Sequence, residues 1–596
     1  MCKIKVQYEL REFCCKSRFV SSRRDSVGVR LAYVHRKTAQ IMLIERTIAR
    51  RWQHAVAPLF ARAQRFAERA AIADKHGVHT YGDLARASRR LAARLPTSAS
   101  RVAFLCGNDA SYALVQWATW RRAAVAVPLA KSHPLAELEY VIADSQANVV
   151  VSSEPIYHDR VGPLCEKLGV AHVRVEKEWM MPVAETKEEE EDGGVTFPAS
   201  QGAQLLYTSG TTGRPKGVLA THGNIEASVN ALIKAWGFSS RDRQLHVLPL
   251  HHVHGIVNGL LCPLWCGATC LMLPEFDEEK VWSALIGDEA GLKVNLFTAV
   301  PTIYVKLIKH YEDAQYSAGE KERIRHRVKE NIRLMMSGSA PLPTPIMKKW
   351  HDITGHWLLE RYGMTEIGMA LSNPLNGERK PGTVGTPLPG VKVRITSEKD
   401  GSVMVEGNET LSTVYADSDS DEGGCLEVKG PAVFTEYWNR PEATAEAFTD
   451  DGWFKTGDTA CYKDGVYQIL GRTSVDIIKS GGYKISALDI ERVFLSHPDI
   501  ADCAVIGLPD DVWGQAVTAI VVTKREIDLP GLREWARDHL ASYALPRNVL
   551  QMKALPRNAM GKVNKKDLAK VCSTSASDNK NLLVNSYFHD LIFPSR

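Results

Sequence analysis

The stretch Leu205–Val218 reads LLYTSGTTGRPKGV. A short apolar run passes directly into a loop of Gly, Ser and Thr and then meets Lys216. Small residues let backbone N–H groups approach phosphate oxygens, hydroxyls add donors, and the lysine supplies a mobile positive charge. No Gly-Lys-Ser/Thr occurs here, so the loop is not of the Walker type. The stretch predicts a phosphate-binding loop at the end of a sheet strand.

The surroundings fit that placement. Residues 101–129, RVAFLCGNDASYALVQWATWRRAAVAVPL, predict strand, turn, amphipathic helix and strand. NVVVSSE (148–154) and AHVRVEKE (171–178) add strands upstream. Downstream, QLHVLPL (244–250), ATCLMLP (268–274), NLFTAVP (295–301), IRLMMSG (332–338) and HWLLERYG (356–363) are short apolar runs. The last four end in Gly or Pro, and the first has Pro249 next to its end. Such alternation indicates a largely parallel sheet with helices on its faces, and ligands gather at the strand ends of these folds. The acidic stretch AETKEEEEDGGVTFPASQG (184–202) is expected to be a solvated loop. From about residue 382 short strands with Gly/Pro turns suggest a small barrel, into which DSDSDEGG (417–424) is an acidic insertion. Beyond GRTSVDIIKSGG (471–482) the pattern helix, strand, strand, helix predicts a compact α+β domain. The expected fold class is α/β: residues 57–472 form a large domain of layered αβα sheets plus a barrel, 473–570 a smaller α+β domain, and 571–596 a tail.

The bulk composition excludes several classes. At 596 residues the chain holds more than one domain, and 44% hydrophobic with 24% charged residues is ordinary for a globular enzyme. Residues 1–51 contain 13 Lys+Arg against 4 Asp+Glu, so the net charge of +5 arises from the N-terminus, and the rest of the chain makes no case for nucleic-acid binding. That Arg- and Ser-rich segment, residues 1–56, has the composition of a mitochondrial transit peptide directing the chain to the matrix. A start at Met42 would give a shorter presequence and allow a cytosolic form. Residues 244–274 carry no Asp, Glu, Lys or Arg, but Pro249, Pro263, Asn258, His251, His252 and His254 make them a buried helix and strand rather than a membrane span. Cys262, Cys266 and Cys270 have the wrong spacing for a zinc site and are expected to be small buried hydrophobes.

Four further stretches recur with the loop: ERYGMTE (360–366), DGWFKTGD (451–458), GRTSVDIIKSGGYKI (471–485) and PRNAMGKVNKKDL (556–568). In this order they resemble the acyl-adenylate-forming superfamily, over roughly residues 57–570. The resemblance implies ATP, Mg²⁺ and coenzyme A as ligands, and a two-step reaction through an acyl-adenylate. Thr208, Ser209, Gly210, Thr211, Thr212, Gly213, Arg214, Pro215 and Lys216 resemble the loop around the ATP phosphates. Glu366 resembles the carboxylate that positions Mg²⁺, a hard cation that takes oxygen ligands. Tyr362 and Thr365 would border the nucleotide, Tyr362 against adenine. Asp458 would accept from both ribose hydroxyls, and Arg472 would sit at the hinge. Lys562 resembles the lysine bridging substrate carboxylate and α-phosphate, while Gly481 and Gly482 would let the pantetheine arm pass. The family hinge is usually one residue shorter than GRTSVD, which leaves the pivot residue open.

The acyl substrate is read from departures. In PLHHVHG (249–255), His252 matches the family histidine near the reacting carboxylate, whereas His251 and His254 replace aromatic or apolar residues. In ERYG the position before the tyrosine, often Gly, is Arg361. A fatty chain would leave these polar groups unpaired; a short dicarboxylate could bond Arg361 through its distal carboxylate. This pattern resembles malonyl-CoA synthetases, including mitochondrial ones acting on malonate and methylmalonate. Arg361 is the expected distal anchor, Arg333 the second candidate, and His254, Ser339 and Met369 would shape the pocket. A medium-chain or aryl acid ligase, and a catalytically silent nucleotide or acyl-CoA binder, are the alternatives. Oligomeric state is not legible.

Overall fold

The computed structural model describes residues 55–175, 192, 194–208, 214–287, 293–415, 423–557 and 563–576. The chain divides into two compact units, Met1–Ala55 with Pro198–Ser200, and Val56–Phe197 with Gln201–Arg596; the features below belong to the second.

Two sheets dominate it. The first has seven strands within the described residues, with Arg101–Leu105 and Val125–Pro128 at its centre and Gly202–Thr208 and Lys216–Thr221 toward one edge. The second has nine, with Arg243–His246, Leu296–Ala299, Leu334–Ser337 and Leu359–Met364 lying side by side and parallel. Helix Ala110–Arg121 starts where Asp109 caps Ser111, and nearly all its residues are buried. Its Trp117 and Trp120 share one core with Val102 and Phe104 of the first sheet and Leu296, Leu334, Met336 and Leu359 of the second. The helix is therefore apolar on every side because its neighbours leave it no solvent face. The opposite face of the second sheet, with Phe297, Met335 and Leu358, packs on Trp282, Tyr304 and Trp350 in a second core. Alternate residues of Leu358–Arg361 consequently serve two environments.

The third sheet corrects the expected barrel. Its six antiparallel strands keep an open ladder, and its edge strands Ser412–Val414 and Val466–Arg472 approach through a 3.1 Å hydrogen bond between Ser412 and Tyr467. The fourth sheet begins at Ile477–Ser480. One of its faces holds helix Ala487–Phe494 through Ile490 and Phe494, and the other holds helix Lys565–Ala576 through Leu568 and Cys572. The boundary expected after residue 472 falls in the turn between these sheets, and both lie in the same compact unit. Glu398 pairs with Lys484 at 3.1 Å across it, and Gln468 with Asp489 at 3.3 Å.

The run free of acids and bases folds as expected, into strand Arg243–His246, helices His254–Leu261 and Cys262–Trp265, and strand Thr269–Met272. Cys262 and Cys270 are fully buried, and burial raises all three thiols in this stretch above the usual cysteine range. Among the described residues no helix is long and apolar enough to cross a membrane. Part of the acidic stretch is not solvated. Asp192 is buried against Arg121 and Arg89, at 2.6 and 2.8 Å from their Nη2 atoms. The targeting segment to residue 54, most of the acidic insertion and the tail from residue 577 lie outside the described residues.

Candidate active site

The phosphate-loop stretch forms a hairpin, with a strand rather than a helix on its far side. Thr208 and Lys216 face each other across the antiparallel pair, so both ends of the loop are fixed. The Pro215 carbonyl accepts 2.8 Å from the Tyr140 hydroxyl, and the Arg214 guanidinium lies 5.4 Å over the Tyr140 ring. Ser209, Gly210, Thr211, Thr212 and Gly213 lie outside the described residues, as does Lys562. The Lys216 ammonium sits 5.1 Å above the Tyr437 ring, and the Tyr437 hydroxyl donates 2.9 Å to Glu366. Glu366 is buried, which raises its carboxyl above the usual range, while Tyr437 and Arg472 oppose the shift. Tyr437 thus links the loop lysine to the expected metal-positioning carboxylate.

The expected ribose acceptor is similarly held. Asp458 and Arg472 are direct cross-strand partners, with Arg472 Nε 3.1 Å from Asp458 Oδ1. The Tyr362 hydroxyl donates to Asp458 Oδ2, and Arg472 Nη1 donates 2.7 Å to the Thr456 carbonyl. Tyr362 and Asp458, 96 residues apart, are therefore brought together; Thr365 is half-buried in the turn that follows Tyr362. Gly481 and Gly482 both adopt positive φ, 58° and 85°, in a tight turn between strands Ile477–Ser480 and Tyr483–Ser486.

The acyl candidates gather at the ends of strands Leu296–Ala299, Leu334–Ser337 and Leu359–Met364. His254 opens a π-helix, a form that recurs at functional sites. Its Nε2 lies 2.7 Å from Thr298 Oγ1 and its Nδ1 3.0 Å from Ser339 Oγ. Burial, then the nearby Arg361 charge, hold its pKa well below the usual histidine range, so the ring is neutral. Ser339 sits in the left-handed region at φ 69°, a conformation that non-glycine residues adopt only where the surroundings fix it. Met369 is buried and crosses Gly363 on the strand carrying Arg361. The His252 ring lies with its centroid 3.9 Å from that of His251, the two planes tilted by 50°.

Arg361 is 3% exposed, and its Nε and Nη2 have no hydrogen-bond partner among the described residues. Burial lowers its pKa to about 9, against a small opposing effect of Tyr304. Glu360 does not neutralise it. Adjacent strand residues point to opposite faces, and Glu360 instead accepts from the backbone N–H groups of Gly382 and Leu342 at 3.1 and 3.3 Å. Burial pushes the Glu360 carboxyl up to about 7, opposed first by Arg492 of the small domain. A desolvated guanidinium without an anion is costly, and a ligand carboxylate would relieve that cost.

Arg333 does not join this group. It lies just before Leu334–Ser337, at the other end of the strand from Ser339, and clasps Asp242 through two bonds of 2.7 and 2.8 Å. A third bond, 3.0 Å, goes to the Trp236 carbonyl. With its donors committed there, the second-choice anchor is set aside.

Residues 59–438 match the AMP-binding enzyme family, and residues 489–562 match the C-terminal domain of AMP-binding enzymes. The chain belongs to the AMP-binding enzyme family. Among relatives of this AMP-binding enzyme, the mitochondrial malonate–CoA ligase ACSF3 of Xenopus laevis is 50% identical over 558 residues, covering 91% of this chain and 96% of that protein. Among solved structures, ATP-bound MatB from Rhodopseudomonas palustris superposes with a TM-score of 0.73 at 31% identity, covering 86% of this chain and 98% of that one. A malonyl-CoA ligase ternary product complex with methylmalonyl-CoA and AMP gives 0.57 at 32% identity, covering 84% and 100%. The fold also brings to these candidates residues that the sequence alone did not single out: Tyr437 beside Glu366, Thr298 beside His254 and Gly338 beside Arg361. Only Gly338 carried a signal, as a small residue in SGSAPLP beside Ser339.

Proposed function

We propose that this AMP-binding enzyme is an ATP-dependent malonate–CoA ligase that also accepts methylmalonate. The observation that carries the reading is the buried Arg361 guanidinium, with open donors, next to His254 and Ser339. Relatives described as malonate–CoA ligases, about half identical over most of the chain, support it.

The chemistry follows from the residues in order. One carboxylate of malonate attacks the α-phosphorus of ATP, forming malonyl-adenylate and releasing pyrophosphate. The thiol of coenzyme A then attacks the acyl carbon, AMP leaves, and malonyl-CoA forms. The first step brings an anion to a polyanion, so positive charge must be in place beforehand. Lys216 supplies it at the phosphate loop and Lys562 at the junction of carboxylate and α-phosphate. Arg361 receives the distal carboxylate in a charge-assisted bond, which orients the proximal one. His252 lies near that proximal carboxylate. His254, being neutral, lets Arg361 keep its attraction for an anion without adding a second charge. Asp458 accepts from the ribose, its two oxygens pre-oriented by Tyr362 and Arg472. Gly481 and Gly482 pass the pantetheine arm.

Glu366 fits Mg²⁺: it is an oxygen donor, buried, with a single tyrosine bond on Oε1. Bound there, the ion would offset phosphate charge. The basic N-terminal segment and the mitochondrial relatives support a matrix location.

The test is AMP release with Mg·ATP and coenzyme A, offering malonate, methylmalonate, acetate and octanoate in turn. Malonate is expected to turn over best, with methylmalonate close, because one methyl is worth only about 1–3 kcal/mol in a pocket. Best turnover of octanoate would overturn the assignment.

A further inference from the structure

Strand Val466–Arg472 is tied to the nucleotide site, and strand Ile477–Ser480 opens the small domain's sheet. The connection between them is one turn, closed by the Asp476 N–H donating 2.8 Å to the Arg472 carbonyl. Asp476 holds both ends of this turn. Its Oδ2 accepts from the Arg472 backbone N–H at 2.9 Å, and its Oδ1 lies 2.6 Å from the Lys565 ammonium. The same ammonium lies 2.7 Å from Glu491 Oε1 on helix Ala487–Phe494, and that oxygen also accepts 2.7 Å from the Val505 N–H.

Lys565 is the first residue of helix Lys565–Ala576, and its side chain is only 10% exposed. The two carboxylates keep its charge in place against the effect of burial. Nearby Lys570, on the same helix, is 81% exposed. A surface lysine would be free to move; this one joins the start of the last helix to the interdomain turn. Three residues upstream in the sequence is Lys562, outside the described residues.

We infer that Lys565 is a positioning residue for adenylate formation, fastening the segment that bears Lys562 to the Asp476 turn and to Glu491. The inference rests on the reading of Lys562 as the adenylation lysine. The thioester step, which uses Gly481 and Gly482 instead, does not need this fastening. Loss of Lys565 should therefore separate the two half-reactions.

The experiment compares Lys565→Met, Lys565→Arg, Lys562→Ala and the control Lys570→Met in the full chain. Malonate-dependent exchange of labelled pyrophosphate into ATP reads the first half-reaction. Single-turnover malonyl-CoA formation from malonyl-adenylate reads the second, and melting temperature reads the fold. Lys562→Ala and Lys565→Met are expected to lose exchange, the latter by about 10²-fold, with the thioester step unchanged. Lys565→Arg should restore most of it, and Lys570→Met should match the parent. If Lys565→Met does not fold, Lys565→Met/Glu491→Gln neutralises one of the two stranded carboxylates and carries the same expectation. A parallel loss of both half-reactions, or none, in the Lys565 variant while Lys562→Ala stays selective overturns the inference alone. An unselective Lys562→Ala overturns the Lys562 reading and the inference with it.

Discussion

The Arg361 guanidinium lies directly against the backbone of Gly338: a Cβ at position 338 would stand 2.5 Å from Nη1 and 2.6 Å from Cζ. A side-chain carbon there would push the guanidinium aside, since real side-chain carbons do not approach so closely. The strand end that supplies Ser339 to His254 also supplies the space that Arg361 occupies.

Gly338→Ala is therefore expected to displace Arg361 and weaken the dicarboxylate contact without touching the nucleotide site. A lost charge-assisted hydrogen bond is worth about 1.5–3 kcal/mol, roughly 10- to 100-fold in kcat/KM for malonate. Steady-state kinetics should show that loss with KM for ATP unchanged. Equal loss for malonate and for a monocarboxylate would argue against it.

Arg361→Met should uncouple stability from activity. Removing a buried cation with two open donors relieves a desolvation penalty, so the melting temperature of the ligand-free protein should hold or rise. Malonate turnover should fall by at least about 100-fold. A marked drop in melting temperature would instead mean that Arg361 is paired in the free enzyme.

Glu360 sets a pH dependence of stability. Its folded pKa, about 7, lies above the ordinary value of 4.5, so between these pH values the folded protein binds more protons than the unfolded chain. The stabilisation from the buried neutral carboxyl is complete below about pH 4.5 and is lost as pH rises through about 7. At about 1.4 kcal/mol per pKa unit the effect is at most about 3.5 kcal/mol. Chemical denaturation of Glu360→Gln across pH 5–8 should show a flatter profile than the parent; coincident profiles would refute this.

Tyr362→Phe removes the hydroxyl that orients Asp458 Oδ2. A hydrogen bond to a charged group is worth about 1.5–3 kcal/mol, so KM for ATP should rise about tenfold or more. KM for malonate should change little, because Arg361, the preceding residue of the strand, points to the opposite face. Isothermal titration with ATP provides a second measure, and unaltered ATP affinity would remove Tyr362 from the nucleotide site.

Much of this site was legible because its chemistry depends on residue types at strand ends. Apolar runs closing in Gly or Pro placed the strands, and Arg361 stood out as a charge where the wider family often has glycine. Arg333 misled because a charge beside an apolar strand looks the same at either end; only the fold reveals that Asp242, 91 residues away, has claimed it. The open third sheet was read as a barrel because turn chemistry fixes hairpins but not whether the last strand meets the first. Asp192 was hidden in an acidic run, where nothing local marks the one carboxylate that two arginines draw inward. The Lys565 node was unreadable for a related reason: its partners come from positions 476 and 491.

Neighbouring positions 360 and 361 serve opposite sides of one strand, the acid toward Gly382 and Arg492, the base toward His254. This makes counting more important than lettering in LLERYG. A conservative exchange at either position dulls one function, whereas inserting or deleting a single residue before them would exchange their sides and spoil both at once. Length, here, is a stricter constraint than composition.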